Sequence, residues 1–205
     1  MKKICLLLVL LISGALLAGQ SSWQFYLHTG LSQNLESEFF TSGWRSGANF
    51  GVGAEYRLKP RFGLLGALSF HQFTFDAESY ADYINEPYEE VIVDGSPAAI
   101  LTANANMKYT LTGNPKSRFK PYLFAGPGLF IRFIKDIEVS YYVDNETQSY
   151  TVDGHTKTAP GIAAGIGLDI EMEGVYFLVE LGYVAGFIKN DSTTIIPLKV
   201  GIYIK

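Results

Sequence analysis

The side chains with chemistry to offer are few and scattered. The histidines are His28, His71 and His155, and the single cysteine is Cys5. Nucleophilic hydrolysis needs a base held against a hydroxyl or a water, with a third group to orient the base. His71 with Ser69 is the pair that best meets the first condition, and no third member stands at a telling spacing. A membrane-embedded hydrolase is therefore the least favoured reading. Carboxylates gather in segment 76–98 as Asp76, Glu78, Asp82, Glu86, Glu89, Glu90 and Asp94, with no Lys or Arg among them. They lack the glycine-anchored order of an EF-hand loop, and a charge run of this kind reads first as a solvated face. The expectation is no enzyme activity, no cofactor and no metal. Tyr80, Tyr83 and Tyr88, with Tyr141, Tyr142 and Tyr150 further on, suit adaptable contact with an extracellular protein or glycan.

These groups must be positioned by strands, because apolar and polar residues alternate with period two in segment after segment. In 23–32, Trp23, Phe25, Leu27, Thr29 and Leu31 oppose Gln24, Tyr26, His28, Gly30 and Ser32. In 49–58, Phe50, Val52, Ala54, Tyr56 and Leu58 oppose Asn49, Gly51, Gly53, Glu55 and Arg57. Segment 101–111 is the cleanest, with Leu101, Ala103, Ala105, Met107, Tyr109 and Leu111 against Thr102, Asn104, Asn106, Lys108 and Thr110. Similar rows run through 62–73, where Leu65 breaks the polar side, and through 120–133, 161–172, 175–187 and 196–205. Eight strands follow, each near the roughly 9–11 residues of a tilted membrane strand. Their connections alternate. Segments 33–47, 76–98, 135–158 and 189–194 are long or polar, whereas 59–61, 112–117 and Glu173-Gly174 are tight. Short turns at one end and long loops at the other characterise outer-membrane barrels, with the short turns and both termini periplasmic.

Residues 1–20 begin with Lys2 and Lys3, continue through the apolar run Ile4–Leu17 and close on Ala18 and Gly19. This is the pattern of a secretory signal peptide, and its apolar run is too short to span a bilayer as a helix. Gln20 stands where a lipoprotein would need cysteine. The remaining 21–205 reads as one barrel domain. The whole chain has 16 basic and 20 acidic residues, and omitting Lys2 and Lys3 leaves 14 against 20, a net charge of −6. That acidity argues against nucleic acid as a partner.

Alternating strands suit a soluble barrel as well as a membrane one, and the two differ in which face meets the surroundings. The polar rows here are rich in glycine (Gly51, Gly53, Gly126, Gly128, Gly165, Gly167, Gly182, Gly201), which fits a crowded lumen better than a solvated surface. Aromatics of the apolar rows sit near strand ends. Trp23, Tyr56, Phe62, Tyr109 and Phe177 lie toward the short turns, and Phe50, Phe70, Phe133 and Phe187 toward the long loops, as two interfacial girdles require. The inward charges nearly balance: Glu55, Asp169 and Glu180 against Arg57, Lys108, Arg132 and Lys199. Charges in a narrow lumen are costly unless paired, so these seven are expected to form a salt-bridge network. The fold class is all-β, an eight-stranded antiparallel up-and-down transmembrane β-barrel.

The segments Lys120-Pro121-Tyr122-Leu123-Phe124-Ala125-Gly126-Pro127-Gly128-Leu129, Gly161–Ile170 and Gly51–Leu58 give the chain a family likeness. It resembles the small outer-membrane β-barrel proteins common in Bacteroidetes-type bacteria, the porin-like outer membrane protein β-barrel domain group that includes PorT-like proteins. The resemblance implies a closed barrel in the outer-membrane lipid bilayer, inserted by the outer-membrane assembly machinery, and no common enzymatic activity. Many such barrels end on an aromatic residue, whereas this chain ends Tyr203-Ile204-Lys205. An eight-stranded barrel is just wide enough for side chains or one small ligand. The leading expectation is a non-enzymatic structural or surface-interaction protein working through its long extracellular loops. The alternative is a small-ligand binder or transport conduit.

Overall fold

The computed structural model describes residues 23–35, 43–84, 91–113, 117–143, 146–188 and 192–204. The signal peptide expected at 1–20 lies outside the described residues, as do Glu86, Tyr88, Glu89, Glu90 and Lys205.

Eight strands close into an antiparallel barrel: β1 (Trp23–Asn34), β2 (Ser46–Lys59), β3 (Phe62–Phe73), β5 (Ala98–Thr110), β6 (Phe119–Ile134), β9 (His155–Met172), β10 (Val175–Gly186) and β11 (Thr193–Ile204). Each barrel strand pairs with the next, and β1 closes the circuit with β11 from Phe25 opposite Ile204 to Asn34 opposite Ile195. Closure leaves no free edge in the barrel, the condition a sheet must meet in lipid. The strands reach further than their alternating cores. β9 starts at His155 rather than Gly161, and β5 at Ala98 rather than Leu101.

Burial follows the two faces. Leu27, Leu31, Phe50, Val52, Leu68, Leu129, Ile166, Leu181 and Val200 are exposed, while His28, Asn49, Ser69, Thr102, Lys108 and Glu180 are buried. A water-soluble barrel has the opposite arrangement. The polar rows also carry large apolar rings, and Tyr26, Leu65, Tyr122, Phe124, Leu178 and Tyr203 form one buried cluster inside the lumen. Glycine makes room for them. A Cβ at Gly53 would meet the Tyr26 ring, and one at Gly167 the Tyr122 ring. Between β9 and β10, Glu173 (φ 50°) and Gly174 (φ 84°) both take left-handed conformations. This is the two-residue hairpin turn whose twist matches the flanking strands.

The long connections are not plain solvated loops. Segment 76–98 contains the helix α1 (Ala77–Ile84) and the short strand β4 (Val91–Asp94). Segment 135–158 contains β7 (Ile137–Val143) and β8 (Glu146–Val152), and these join β4 in a separate sheet of order β4-β7-β8. β7 and β8 extend the β6–β9 hairpin in unbroken register, from Ile134 opposite His155 to Ile137 opposite Val152. Lys135 and Asp136 are both exposed between buried Ile134 and Ile137, so the inward face switches there from even to odd positions. Asp136 Oδ1 accepts a hydrogen bond from Gly154 N–H at 2.7 Å and fixes this break.

Ile137 and Val139 thereby join a core with Trp44, Phe73, Tyr80, Ala98, Ile100 and Phe130, continuous from the cap into the barrel mouth. Tyr80, expected on a solvated surface, is instead 2% exposed. Its ring lies 6.4 Å from that of Trp44 and 5.7 Å from that of Phe75. Burying the ring here returns more free energy than wetting it, because apolar partners converge on it.

Candidate functional site

Four strands converge on Lys108 of β5. Its Nζ donates to Glu55 Oε2 of β2 at 2.7 Å and to Asp169 Oδ2 of β9 at 2.6 Å. Tyr203 of β11 completes the knot, its hydroxyl lying 2.9 Å from Asp169 Oδ1 and 3.1 Å from Glu55 Oε2, either of which can accept its single proton. The ammonium also sits 3.9 Å from the centre of the Tyr122 ring, on the electron-rich face that attracts cations. Tyr122 carries the connection onward, since its hydroxyl donates to Glu180 Oε1 at 2.7 Å and Glu180 lies 3.8 Å from Lys199 Nζ. Lys108, Glu55, Glu180, Lys199 and Asp169 are all buried, so each charge depends on its partners for the solvation it has lost.

Of the seven inward charges, six belong to this system. Arg57 joins it at the edge, with Nε 3.4 Å from Glu55 Oε1 and its side chain 46% exposed. Arg132 stands apart at the long-loop end of the lumen, where Nη1 donates to Thr193 Oγ1 at 2.7 Å and Nη2 lies 3.3 Å from His155 Nε2. Tyr122 and Tyr203 are the members that charge counting missed. Both stand on polar rows, which is the only signal the sequence carried for them.

The histidines are arranged differently from the expected His71–Ser69 pairing. His71 Nδ1 lies 2.7 Å from Ser32 Oγ, while Ser69 Oγ lies 3.2 Å from His28 Nε2. Ser32 and His71 make the contact that nucleophilic catalysis uses, yet the other ring nitrogen of His71 faces Thr102 Oγ1 at 3.4 Å, and His71 is 0% exposed. The triad logic asks for an orienting carboxylate and an open path for substrate, and this pair has a threonine and a closed lumen. Among the described residues no three His, Cys, Asp or Glu side chains converge as a metal site.

Buried side chains line the lumen from Lys108 and Tyr203 near the short turns to Arg132 near the long loops, and a cavity of about 140 Å³ opens at the short-turn mouth beside Glu55, Arg57, Lys120 and Asp169. On the outer face the aromatics at the two ends meet across strands. Trp23 stacks near Tyr56 with ring centres 4.9 Å apart and Phe62 near Tyr109 at 5.0 Å, both at the short-turn end. Phe50 and Phe70 pair at 5.2 Å toward the long loops. Phe133, Phe177 and Phe187 are exposed near strand ends. In the cap, Asp76 closes the start of α1, its carboxylate accepting from Ser79 N–H at 3.1 Å and from Ser79 O–H at 2.7 Å. Those two hydrogen bonds hold the Asp76 carboxyl below its ordinary range.

An outward apolar surface, aromatic pairs at both ends and a closed polar lumen coincide with a family assignment. Residues 4–202 match the outer membrane protein beta-barrel domain. The chain belongs to that family, which places it in the outer membrane. Solved structures are similar in fold at low identity. OprG of Pseudomonas aeruginosa aligns with a TM-score of 0.53 and 12% identity, over 90% of this chain and 97% of that one. A major outer membrane protein of Thermus thermophilus aligns with a TM-score of 0.52 and 11% identity, over 89% and 99%. Neisserial surface protein A aligns with a TM-score of 0.49 and 15% identity, over 90% and 97%. No curated protein matches the sequence.

Proposed function

We propose that this outer-membrane barrel is a non-enzymatic anchor that displays a folded cap for contact with an extracellular protein or glycan. The observation that carries the reading is the cap itself. Its sheet shares a core with the barrel mouth, so its position relative to the membrane is fixed. β8 forms an outer edge of that sheet and is exposed from Glu146 through Thr151. An edge free of Lys, Pro and bulges is the surface on which another chain adds a strand. Tyr142, Tyr150 and Tyr83 stand exposed on the same cap.

The orientation that accompanies this reading has residues 1–20 removed as a signal peptide, both termini and the short turns in the periplasm, and the cap outside the cell. The PorT-like, Bacteroidetes-type affiliation rests on the Lys120–Leu129 segment and belongs to the same proposal, as does insertion by the outer-membrane assembly machinery. The filled lumen speaks against a transport conduit, and the buried Ser32–His71 pair against a hydrolase.

The test replaces Ile137–Val152 with a two-residue Asn-Gly turn and compares adhesion of intact cells to immobilised matrix proteins and glycans. Adhesion is expected to fall while the barrel keeps its heat-modifiable gel mobility. Unchanged adhesion with the cap hairpin removed overturns the proposal.

A further inference from the structure

We infer that the short-turn mouth of the barrel is a binding site for a phosphate group, held by Arg57, Lys59, Arg61 and Lys120. The cavity of about 140 Å³ found there is bounded by the short-turn ends of β2, β3, β5, β6 and β9. It falls below the roughly 300–1,000 Å³ of sites that enclose a drug-sized molecule, so it takes a small ion or the terminal group of something larger. The charged side chains lining it are Arg57, Lys59, Arg61 and Lys120 against Glu55 and Asp169. Four positive against two negative leave a surplus of two. Counting the partners behind them changes nothing, because Lys108 on the two carboxylates and Glu171 on Lys120 add one charge of each sign. A phosphate monoester carries about −1.5 to −2 near pH 7 and matches that surplus, whereas a single carboxylate leaves half of it.

The cations are placed toward the cavity. Arg57 and Lys120 stand on the inward rows of β2 and β6, so they face the mouth and not the lipid head groups around it. Arg57 commits Nε to Glu55 Oε1 at 3.4 Å and Nη2 to Gln24 Oε1 at 2.9 Å, and a guanidinium has five N–H groups in all. Among the described residues Lys59 and Arg61 form no ion pair. Thr110 N–H donates to Arg61 O at 2.8 Å and ties the β2–β3 turn to β5. A Cβ at Gly113 would run into the Arg61 guanidinium, so glycine there lets that group lie against the β5–β6 connection. The rim is not uniformly basic, since Glu173 stands exposed on the β9–β10 turn. Positive charge is thus gathered on the side where the cavity lies. Charges of one sign around a concavity focus the field there and attract an anion, and the N–H groups of arginine match phosphate oxygens in pairs. With the orientation proposed above, this mouth opens into the periplasm, though the site itself does not depend on it.

The test titrates inorganic phosphate into the barrel, purified from outer membranes in a maltoside detergent, at constant ionic strength with binding read by phosphorus NMR. The wild type is expected to bind one phosphate saturably. Arg61→Gln, and Lys59→Gln as a second variant, should each weaken binding about tenfold. Arg45→Gln removes the same charge at the long-loop end and should leave binding unchanged, and heat-modifiable gel mobility verifies that all three variants fold. In a second arm the barrel sits in phosphatidylcholine vesicles with and without phosphatidic acid. Displacement of inorganic phosphate by phosphatidic acid assigns the bound group to a lipid head, and undisturbed binding assigns it to a soluble phosphate, both in keeping with the site. No saturable binding by the wild type, binding by Arg61→Gln and Lys59→Gln equal to wild type, or equal weakening by Arg61→Gln and Arg45→Gln would each overturn it.

Discussion

Lys108 and Asp169 stand on strands that are not neighbours, and their 2.6 Å contact crosses the lumen above the intervening β6. With Glu55 at 2.7 Å on the other side, one ammonium cross-links β2, β5 and β9. Removing one member of such a group leaves a buried charge uncompensated, a loss of about 3–5 kcal/mol. Lys108→Met should therefore destabilise the barrel by that order, read as a lowered urea midpoint for unfolding from lipid vesicles. Neutralising the whole set as Glu55→Gln, Lys108→Met and Asp169→Asn should recover most of the loss. A single variant as stable as wild type would show that the cluster carries no such dependence.

Packing of rings against glycine inside the lumen gives a second outcome. Gly53→Val puts methyl groups into the Tyr26 ring and Gly167→Val into the Tyr122 ring. Both rings are buried, and overpacking of this kind costs about 1–3 kcal/mol or more. Both variants should fold in lower yield, measured as the fraction of heat-modifiable band. At Gly66 the nearest atom to an added Cβ is Ala54 O at 3.9 Å, so Gly66→Ala should fold like wild type.

A filled lumen should not conduct. Liposomes containing the purified barrel should be as tight to neutral sugars as empty ones in a swelling assay. Sugar entry at rates typical of diffusion porins would contradict the packing of Tyr26, Leu65, Tyr122, Phe124 and Leu178.

The alternation of apolar and polar residues made the barrel readable at a distance, while the cap was not readable. Period two is imposed by the strand itself, so rows such as Ala103, Ala105 and Met107 against Asn104, Asn106 and Lys108 identify a strand with no knowledge of its neighbours. The cap core draws Trp44, Tyr80, Ile137 and Val139 from three separate connections. None of those carries a period long enough to register, and the phase switch at Lys135-Asp136 resembles an ordinary polar loop. The lumenal cluster fell between these cases. Glu55, Lys108 and Asp169 were visible as inward charges, but their meeting depends on how the closed sheet is staggered. Arg132 lies near the opposite end of its strand, opposite Ile100, whereas Lys108 lies opposite Gly63 near the short turns, and that length of barrel keeps the two apart.

The cap has its own acid sensitivity. Because Asp76 sits below its ordinary carboxyl range when α1 is formed, its contribution is complete above the unfolded carboxyl range and is lost as pH falls through the lower, folded value. Amide exchange in α1 should accelerate over that acidic window. Asp76→Ala should show fast exchange at neutral pH and little further change on acidification. Equal exchange in the two proteins at neutral pH would remove the capping role.

The claim on which everything else rests is that the apolar rows face lipid while the cap and the short turns lie on opposite sides of the membrane. With Cys5 replaced by serine, single cysteines at Tyr150, Leu198 and Glu173 can be challenged with a membrane-impermeant thiol reagent on intact cells and again after permeabilisation. Tyr150→Cys is expected to label on intact cells, Glu173→Cys only after permeabilisation, and Leu198→Cys in neither condition. Labelling of Leu198→Cys, or of Glu173→Cys on intact cells, would contradict it.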